Sequence, residues 1–143
     1  MRQTILLVDD EPDIRDVLSL SLSDMGYRVY EAENGNQALR IFRDVQPSMV
    51  MTDIKMPGMD GIQTLRKIKM TYPLVEVILL TGHGTTETAI EGMKLGAFDY
   101  LLKPADFNEL TTILAGAKKK KAEQDERIRK AEARRLLRRG GNI

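Results

Sequence analysis

Four apolar runs, each followed at once by polar or charged side chains, constrain the fold of this chain more than any other feature. The runs and the residues after them are 5–8 before Asp9-Asp10, 49–52 before Asp53, 77–80 before Thr81, and 98–102 before Lys103. Such short apolar runs without alternation are typical of strands covered on both faces of a parallel sheet. The carboxyl ends of parallel strands meet at one edge, where open α/β folds bind their ligands. The sequence therefore predicts a single site assembled from distant residues.

Helical patterns separate these runs, and residues 27–31 supply a further strand. Pro12 and Asn34-Gly35 mark two helix starts, while Ala89, Ile90 and Met93 have the spacing expected for the buried side of the fourth helix. Short connections between strands require parallel pairing through crossover helices. We therefore expect an α/β fold of three layers, α/β/α, doubly wound, with a five-stranded parallel sheet in the flavodoxin-like order 2-1-3-4-5 and an extended C-terminal helix.

Composition narrows the possible classes of protein. The chain has 143 residues and no cysteine, which suits one domain and excludes disulfides and thiol chemistry. The aliphatic runs are far shorter than the roughly 20 residues that a membrane-spanning helix needs. Acidic residues follow the N-terminus too soon for a secretory signal peptide. We expect a cytoplasmic protein without a membrane partner.

Charge divides the chain into two parts. Residues 118–139 carry a net charge of +7, whereas residues 1–117 carry −6. This change predicts a globular domain over residues 1–117 and a basic helical extension or linker over residues 118–143.

The residues predicted at the sheet edge indicate phosphoryl chemistry. Two carboxylates 4 Å apart repel by about 4 kcal/mol at an effective dielectric constant near 20, so Asp9, Asp10 and Asp53 require protonation or a cation. Oxygen ligands of this kind suit Mg2+. Lys103 adds a positive charge and Thr81 a hydroxyl donor, both suited to a phosphoryl group. A carboxylate in this setting can act as the nucleophile.

Over about residues 3–117 the chain resembles the receiver domains of two-component response regulators. The resemblance rests on four motifs, VDDEP at 8–12, TDIKMPGMDG at 52–61, TG at 81–82 and DYLLKP at 99–104. Residues 84–100 are most similar to receivers of enhancer-binding transcription activators. The resemblance implies that Asp53 accepts a phosphoryl group from a sensor histidine kinase or phosphotransfer protein. It also implies a signalling module in a phosphorelay that assists its own phosphorylation and dephosphorylation without being an enzyme.

The same resemblance assigns roles to further residues. Asp10, Asp53 and the backbone carbonyl of Lys55 would bind Mg2+, and Asp9 would orient a metal-bound water. Lys103, before a cis Pro104, would pair with the phosphoryl group. Thr81 would cap that group and Tyr100 would act as a rotamer switch, so that phosphorylation changes the surface formed by the fourth helix, fifth strand and fifth helix.

Several alternatives remain at this stage. The chain could be a truncated receiver of a larger transcription regulator. A phosphatase of the haloacid-dehalogenase type would need an aspartate two residues after the nucleophile, where this chain has Lys55. A flavodoxin-like cofactor binder would need a phosphate-binding loop after the first strand, where Asp9-Asp10 lie. His83 is either a solvated loop residue or a neighbour of the phosphoryl group.

The C-terminal segment has helix-forming composition and a partial heptad pattern. We expect the fifth helix to begin near Asp106 and to continue past residue 118 without a break. A solvated helix, a weak coiled coil and nucleic-acid binding are the three interpretations, and we expect no direct nucleic-acid partner because no recognition motif accompanies the charge. A phosphorylation-dependent homodimer would form through Leu110, Leu114, Ala117 and Ile128.

Overall fold

The computed structural model describes residues 3–82 and 86–141, which form five strands alternating with five helices. All strands pair in parallel, in the order β2-β1-β3-β4-β5, and helices cover both faces. The predicted fold class is therefore confirmed. In chain order the elements are β1 Thr4–Val8, α1 Pro12–Asp24, β2 Arg28–Ala32, α2 Gly35–Val45, β3 Met49–Asp53, α3 Gly61–Thr71, β4 Glu76–Thr81, α4 Thr86–Lys94, β5 Asp99–Leu102 and α5 Phe107–Gly141.

Two hydrophobic cores lie on opposite faces of the sheet. In β1, Leu6 and Val8 belong to the core that contains residues of α2 and α3, whereas Ile5 and Leu7 belong to the core that contains residues of α1 and α5. Successive strand residues face opposite sides. Both sides are buried here, which explains why the apolar runs show no alternation.

Local capping fixes where two of the helices begin. The Asn34 side chain accepts a hydrogen bond of 2.8 Å from the Gln37 backbone N–H at the start of α2. Asp60 and Gln63 form a reciprocal capping box at the start of α3. The sequence predicts a loop over residues 56–61. In the structure the loop ends one residue earlier, because Gly61 is the first residue of α3.

The predicted buried side of α4 is partly wrong. Ile90 and Met93 are exposed, whereas Ala89 and Gly92 are buried. A Cβ atom at Gly92 would lie 2.1 Å from the Leu79 Cδ1 atom, so this helix approaches β4 more closely than larger side chains allow. The close approach selects small residues for the buried side, and the larger apolar residues lie on the exposed side.

Helix α5 is continuous over 35 residues, as predicted, and passes through the proposed domain boundary after residue 117. That boundary stays a prediction. Leu110, Leu114 and Ala117 are buried in the core between α5 and the sheet. The prediction that these three residues form a dimer interface is therefore wrong, because folding of the domain already buries them.

Beyond residue 117, α5 keeps limited contact with the rest of the domain. The Lys120 ammonium lies 3.5 Å from a Glu76 carboxylate oxygen and 5.7 Å from the centre of the Phe98 ring. Residues 127–140 are all exposed. Although α5 is long, neither it nor another helix in the described ranges is apolar enough to cross a membrane.

Candidate functional site

Four acidic side chains meet at the carboxyl edge of the sheet. Asp9, Asp10, Glu11 and Asp53 each place one carboxylate oxygen within 4.8 Å of the others, and we call them the acidic cluster. Val8 pairs with Thr52 in neighbouring strands, so β1 and β3 end side by side and bring the two segments together. The sequence alone did not assign Glu11 to the site. Its position directly after Asp10 could have indicated that its carboxylate lies near the other three.

Asp9 is fully buried, and each of its polar atoms has either a hydrogen bond or an ion-pair contact. Its Oδ1 accepts a hydrogen bond of 2.9 Å from the Glu11 backbone N–H, and its Oδ2 lies 2.7 Å from the Lys103 Nζ. Its backbone N–H donates to the Ala32 carbonyl, and its carbonyl accepts from Arg15. Asp10 is half-buried at the turn that follows.

Lys103 supplies the positive charge from the end of β5. Its Nζ lies 2.9 Å from Asp53 Oδ2 and 3.7 Å from Glu11 Oε1. Burial lowers the pKa of Lys103, but hydrogen bonds and charges from Asp9 and Asp53 outweigh burial, so the pKa is raised above its ordinary value. The Lys103–Pro104 peptide is cis, as the resemblance implies. Lys103 is therefore charged and in contact with two carboxylates at neutral pH.

Asp53 ends β3, a strand buried throughout. Burial raises the pKa of its carboxyl group, and repulsion from Asp9 adds to this. Contact with Lys103 and a hydrogen bond from the Lys55 backbone lower the pKa but do not compensate. The charged form of Asp53 is consequently under-stabilised by the protein groups alone, and additional positive charge would stabilise it.

The remaining residues predicted for the site lie outside the acidic cluster. Thr81 ends β4 beside β3, is buried, and donates its hydroxyl hydrogen to the Gly82 carbonyl at 3.0 Å. The Lys55 side chain is exposed. Tyr100 lies on β5 with 41% of its surface exposed, outside the acidic cluster. His83 lies outside the described residues.

The donor set of the acidic cluster fits Mg2+. Every side-chain ligand that the cluster offers is a carboxylate oxygen, the type that hard divalent cations prefer. Lys103 forms ion pairs with Asp9, Glu11 and Asp53, so one positive charge faces four acidic side chains, and a cation would neutralise the excess negative charge. A doubly wound fold with acidic side chains and a lysine at its carboxyl edge is the arrangement that the resemblance to receiver domains implies.

The family follows from comparison with known proteins. Residues 5–115 match the response regulator receiver domain family, and the chain belongs to that family. It is 42% identical over 113 residues to the regulatory protein AtoC of Escherichia coli, covering 79% of this chain and 24% of AtoC. Regulators of the NtrX, ZraR and NtrC types are also among its relatives, which confirms the predicted similarity to receivers of enhancer-binding activators. The chain spans about a quarter of the length of these curated relatives.

Solved structures agree with this assignment. A response regulator receiver domain protein from Clostridium thermocellum has a TM-score of 0.83 and 38% identity, covering 85% of this chain and 98% of that one. NtrX from Brucella abortus, solved with ADP, has a TM-score of 0.84 and 35% identity, covering 88% of this chain and 29% of that protein.

Proposed function

We propose that this domain accepts a phosphoryl group on Asp53 from a sensor histidine kinase or phosphotransfer protein, with Mg2+ as cofactor. One observation carries the proposal: the buried Asp53 carboxylate lies 2.9 Å from the Lys103 ammonium and within the acidic cluster. The nucleophile, a positive charge for the phosphoryl group and oxygen ligands for a cation thus share one sheet edge. The protein would then act in the cytoplasm as a response regulator of a two-component phosphorelay.

The transfer step needs few groups. An Asp53 carboxylate oxygen attacks the phosphorus atom, and the phosphorus–nitrogen bond of the donor phosphohistidine breaks, with its electron pair remaining on the imidazole. Lys103 pairs with a phosphoryl oxygen, and the Thr81 hydroxyl turns from the Gly82 carbonyl toward another. Asp10, Asp53 and the backbone carbonyl of Lys55 would hold Mg2+, with Asp9 orienting a water on the ion, and the bound ion would supply positive charge for the acceptor and the phosphoryl group.

Phosphorylation would then change the surface formed by α4, β5 and α5. Thr81 moves inward when it binds the phosphoryl group, and Tyr100 fills the space that it leaves. Exposed apolar side chains on this surface support an output interface there, among them Ile90, Met93, Tyr100 and Leu102. Phosphorylation biases two arrangements of this surface rather than creating a new fold.

The competing functions have less support. Lys55 stands where a phosphatase of the haloacid-dehalogenase type needs its second aspartate, so we infer a phospho-acceptor that is not an enzyme. The greater length of the relatives favours one further reading, in which the domain is the receiver of a larger transcription regulator. Both readings require the same chemistry at Asp53.

Labelling with a small phosphodonor tests the proposal. Incubation with acetyl phosphate and Mg2+ should add one acid-labile phosphoryl group, seen as a single mass increment. Asp53→Asn should abolish it, whereas Asp44→Asn, at an exposed carboxylate on α2, should leave it intact. Labelling of Asp53→Asn to the wild-type extent would show that the acceptor lies elsewhere.

We also propose a weak homodimer that phosphorylation strengthens. Because the α5 residues facing the sheet are buried, the exposed apolar residues Ile128, Leu136 and Leu137 are the candidates for pairing. Sedimentation of the 143-residue chain and of residues 1–126, each with and without beryllofluoride and Mg2+, should show the strongest association in the beryllofluoride-treated 143-residue sample and none in residues 1–126. Monomers in all four samples would remove this role.

A further inference from the structure

Arg15 connects α1 to the acidic cluster without belonging to it. Its side chain is only 16% exposed and extends back toward the end of β1. There the Nη1 group donates a hydrogen bond of 2.6 Å to the backbone carbonyl of Asp9. A guanidinium in this position therefore contacts the backbone between the two aspartates.

The contact restrains the peptide unit that leads to Asp10. The Asp9 carbonyl and the Asp10 backbone nitrogen belong to one planar peptide unit. Asp9 itself is already held through its N–H and both carboxylate oxygens. The hydrogen bond from Arg15 fixes the remaining plane, and with it the direction in which the Asp10 residue leaves β1.

Glu31 holds Arg15 in place. The Arg15 Nε lies 3.5 Å from Glu31 Oε1 on the neighbouring strand β2, and the Ser19 hydroxyl is 3.4 Å from the other Glu31 oxygen. The guanidinium thus contacts a carboxylate with one nitrogen and a carbonyl with another. A lysine ammonium on a flexible stem cannot reproduce this planar two-sided geometry.

We propose that Arg15 is a positioning residue for Mg2+ binding, acting through the Asp9–Asp10 peptide and held by Glu31. The inference rests on the proposed function, because it concerns the same Mg2+ site. The expected change in Mg2+ affinity on removing Arg15 is opposite to the change that its charge alone would cause. A positive charge near a cation site weakens cation binding, so if only the charge of Arg15 mattered, its removal would tighten Mg2+ binding. If Arg15 positions the site, its removal weakens Mg2+ binding.

Two substitutions separate these effects. Arg15→Lys keeps the charge and loses the geometry, and Arg15→Gln loses both. We expect both variants to bind Mg2+ at least fivefold more weakly than wild type in calorimetric titrations without a phosphodonor. Arg28→Gln is the matched control, because Arg28 is exposed on β2 at the opposite edge of the sheet, and its Mg2+ affinity should be unchanged. At saturating Mg2+, the acetyl phosphate labelling rate of Arg15→Lys should return to near the wild-type value.

A second variant guards against a folding defect. Glu31→Gln leaves Arg15 intact but loosens it, and should weaken Mg2+ binding by a larger factor in the wild-type background than in the Arg15→Gln background, where only its charge effect remains. Wild-type affinity in Arg15→Lys, or tighter binding in Arg15→Gln, would overturn the inference while leaving Asp53 phosphorylation intact. Loss of thermal stability in both Arg15 variants with unchanged Mg2+ affinity would also overturn it, since the role would then be structural. Failure of wild type to bind Mg2+ would overturn this inference and the proposed cofactor together.

Discussion

At the residue scale, the single positive charge of Lys103 only partly offsets the negative charge of the acidic cluster. Lys103 contacts Asp9 and Asp53 at 2.7 and 2.9 Å, yet the pKa of Asp53 stays above its ordinary value because burial outweighs these contacts. The site is therefore tuned for binding rather than for stability of the metal-free domain. Substitutions that remove charge from the site should stabilise that state.

Asp53→Asn should raise the thermal midpoint of the metal-free protein at pH 7 by about 2–5 °C. The raised pKa means that folded wild type binds more protons than the unfolded chain over a window above 3.8, so its stability falls as pH rises through that window. Asparagine does not titrate, so the advantage should shrink as pH decreases toward 4. Thermal melts in a chelating buffer from pH 4 to 8 measure it, with Asp44→Asn as control. A lower midpoint for Asp53→Asn at pH 7 would contradict this account.

At the element scale, the acceptor depends on how closely α3 approaches the end of β3. The Gly61 N–H donates to the Ile54 carbonyl at 2.8 Å, and a Cβ atom at Gly61 would lie 2.1 Å from the Asp53 carbonyl oxygen. The obstructing atom belongs to the backbone, which cannot move aside as a flexible side chain can. The first residue of α3 thus helps to fix the position of the phospho-acceptor.

Gly61→Ala should destabilise the domain by about 1–3 kcal/mol, the usual cost of overpacking, and should slow labelling of Asp53. Urea unfolding and acetyl phosphate labelling measure the two effects. Gly140→Ala is the matched control, because nothing lies within 4 Å of its added Cβ atom. Equal stability of the two variants would show that α3 can shift away from β3 without cost.

A second element-scale contact attaches the extension of α5 to the sheet. Glu76 is fully buried at the start of β4, and neither carboxylate oxygen has a hydrogen-bond partner in the described structure. The Lys120 ammonium at 3.5 Å provides an ion pair. Glu76 also raises the pKa of Lys69, but burial of Lys69 is the larger effect and lowers it overall.

Lys120→Met should destabilise the domain by about 1–2 kcal/mol, less than a fully buried pair because Lys120 is 45% exposed. The loss leaves the Glu76 charge poorly compensated. Adding Glu76→Gln to Lys120→Met should recover much of the stability, which a double-mutant cycle in urea would measure. Purely additive effects of the two substitutions would show that the pair does not interact.

At the scale of the whole molecule, the carboxyl and amino edges of the sheet carry different groups. The carboxyl edge holds the acidic cluster, and the opposite edge holds Glu76 and the start of the exposed helical extension. Residues 127–140 are exposed, so the end of α5 adds helix without adding a core. Isolated helical segments of this kind are marginal in water.

Truncation should therefore have a sharply position-dependent effect. Removal of residues 127–143 should change the thermal midpoint by less than about 2 °C, whereas removal of residues 118–143 should lower it further because Lys120 is lost. Differential scanning calorimetry of the two shortened proteins and the full chain measures this. A large loss on removing residues 127–143 would mean that the end of α5 packs on another surface.

The sequence by itself determined the carboxyl ends of the strands to within one residue and the polar residues at that edge, because apolar runs and the side chains that follow them are local signals. The sheet order was predicted as the usual arrangement of a doubly wound fold, and the structure confirms it. The single register of parallel strands then forces Asp9, Asp10, Asp53 and Lys103 to one edge. Only the tertiary structure decided how closely helices approach the sheet. The closeness of α4 to Leu79 left Ile90 and Met93 exposed, and packing of α5 buried three of the four residues expected to form a dimer. The same holds for Arg15, whose proposed role depends on the Asp9 carbonyl and the Glu31 carboxylate on β2, which helical spacing alone does not bring together.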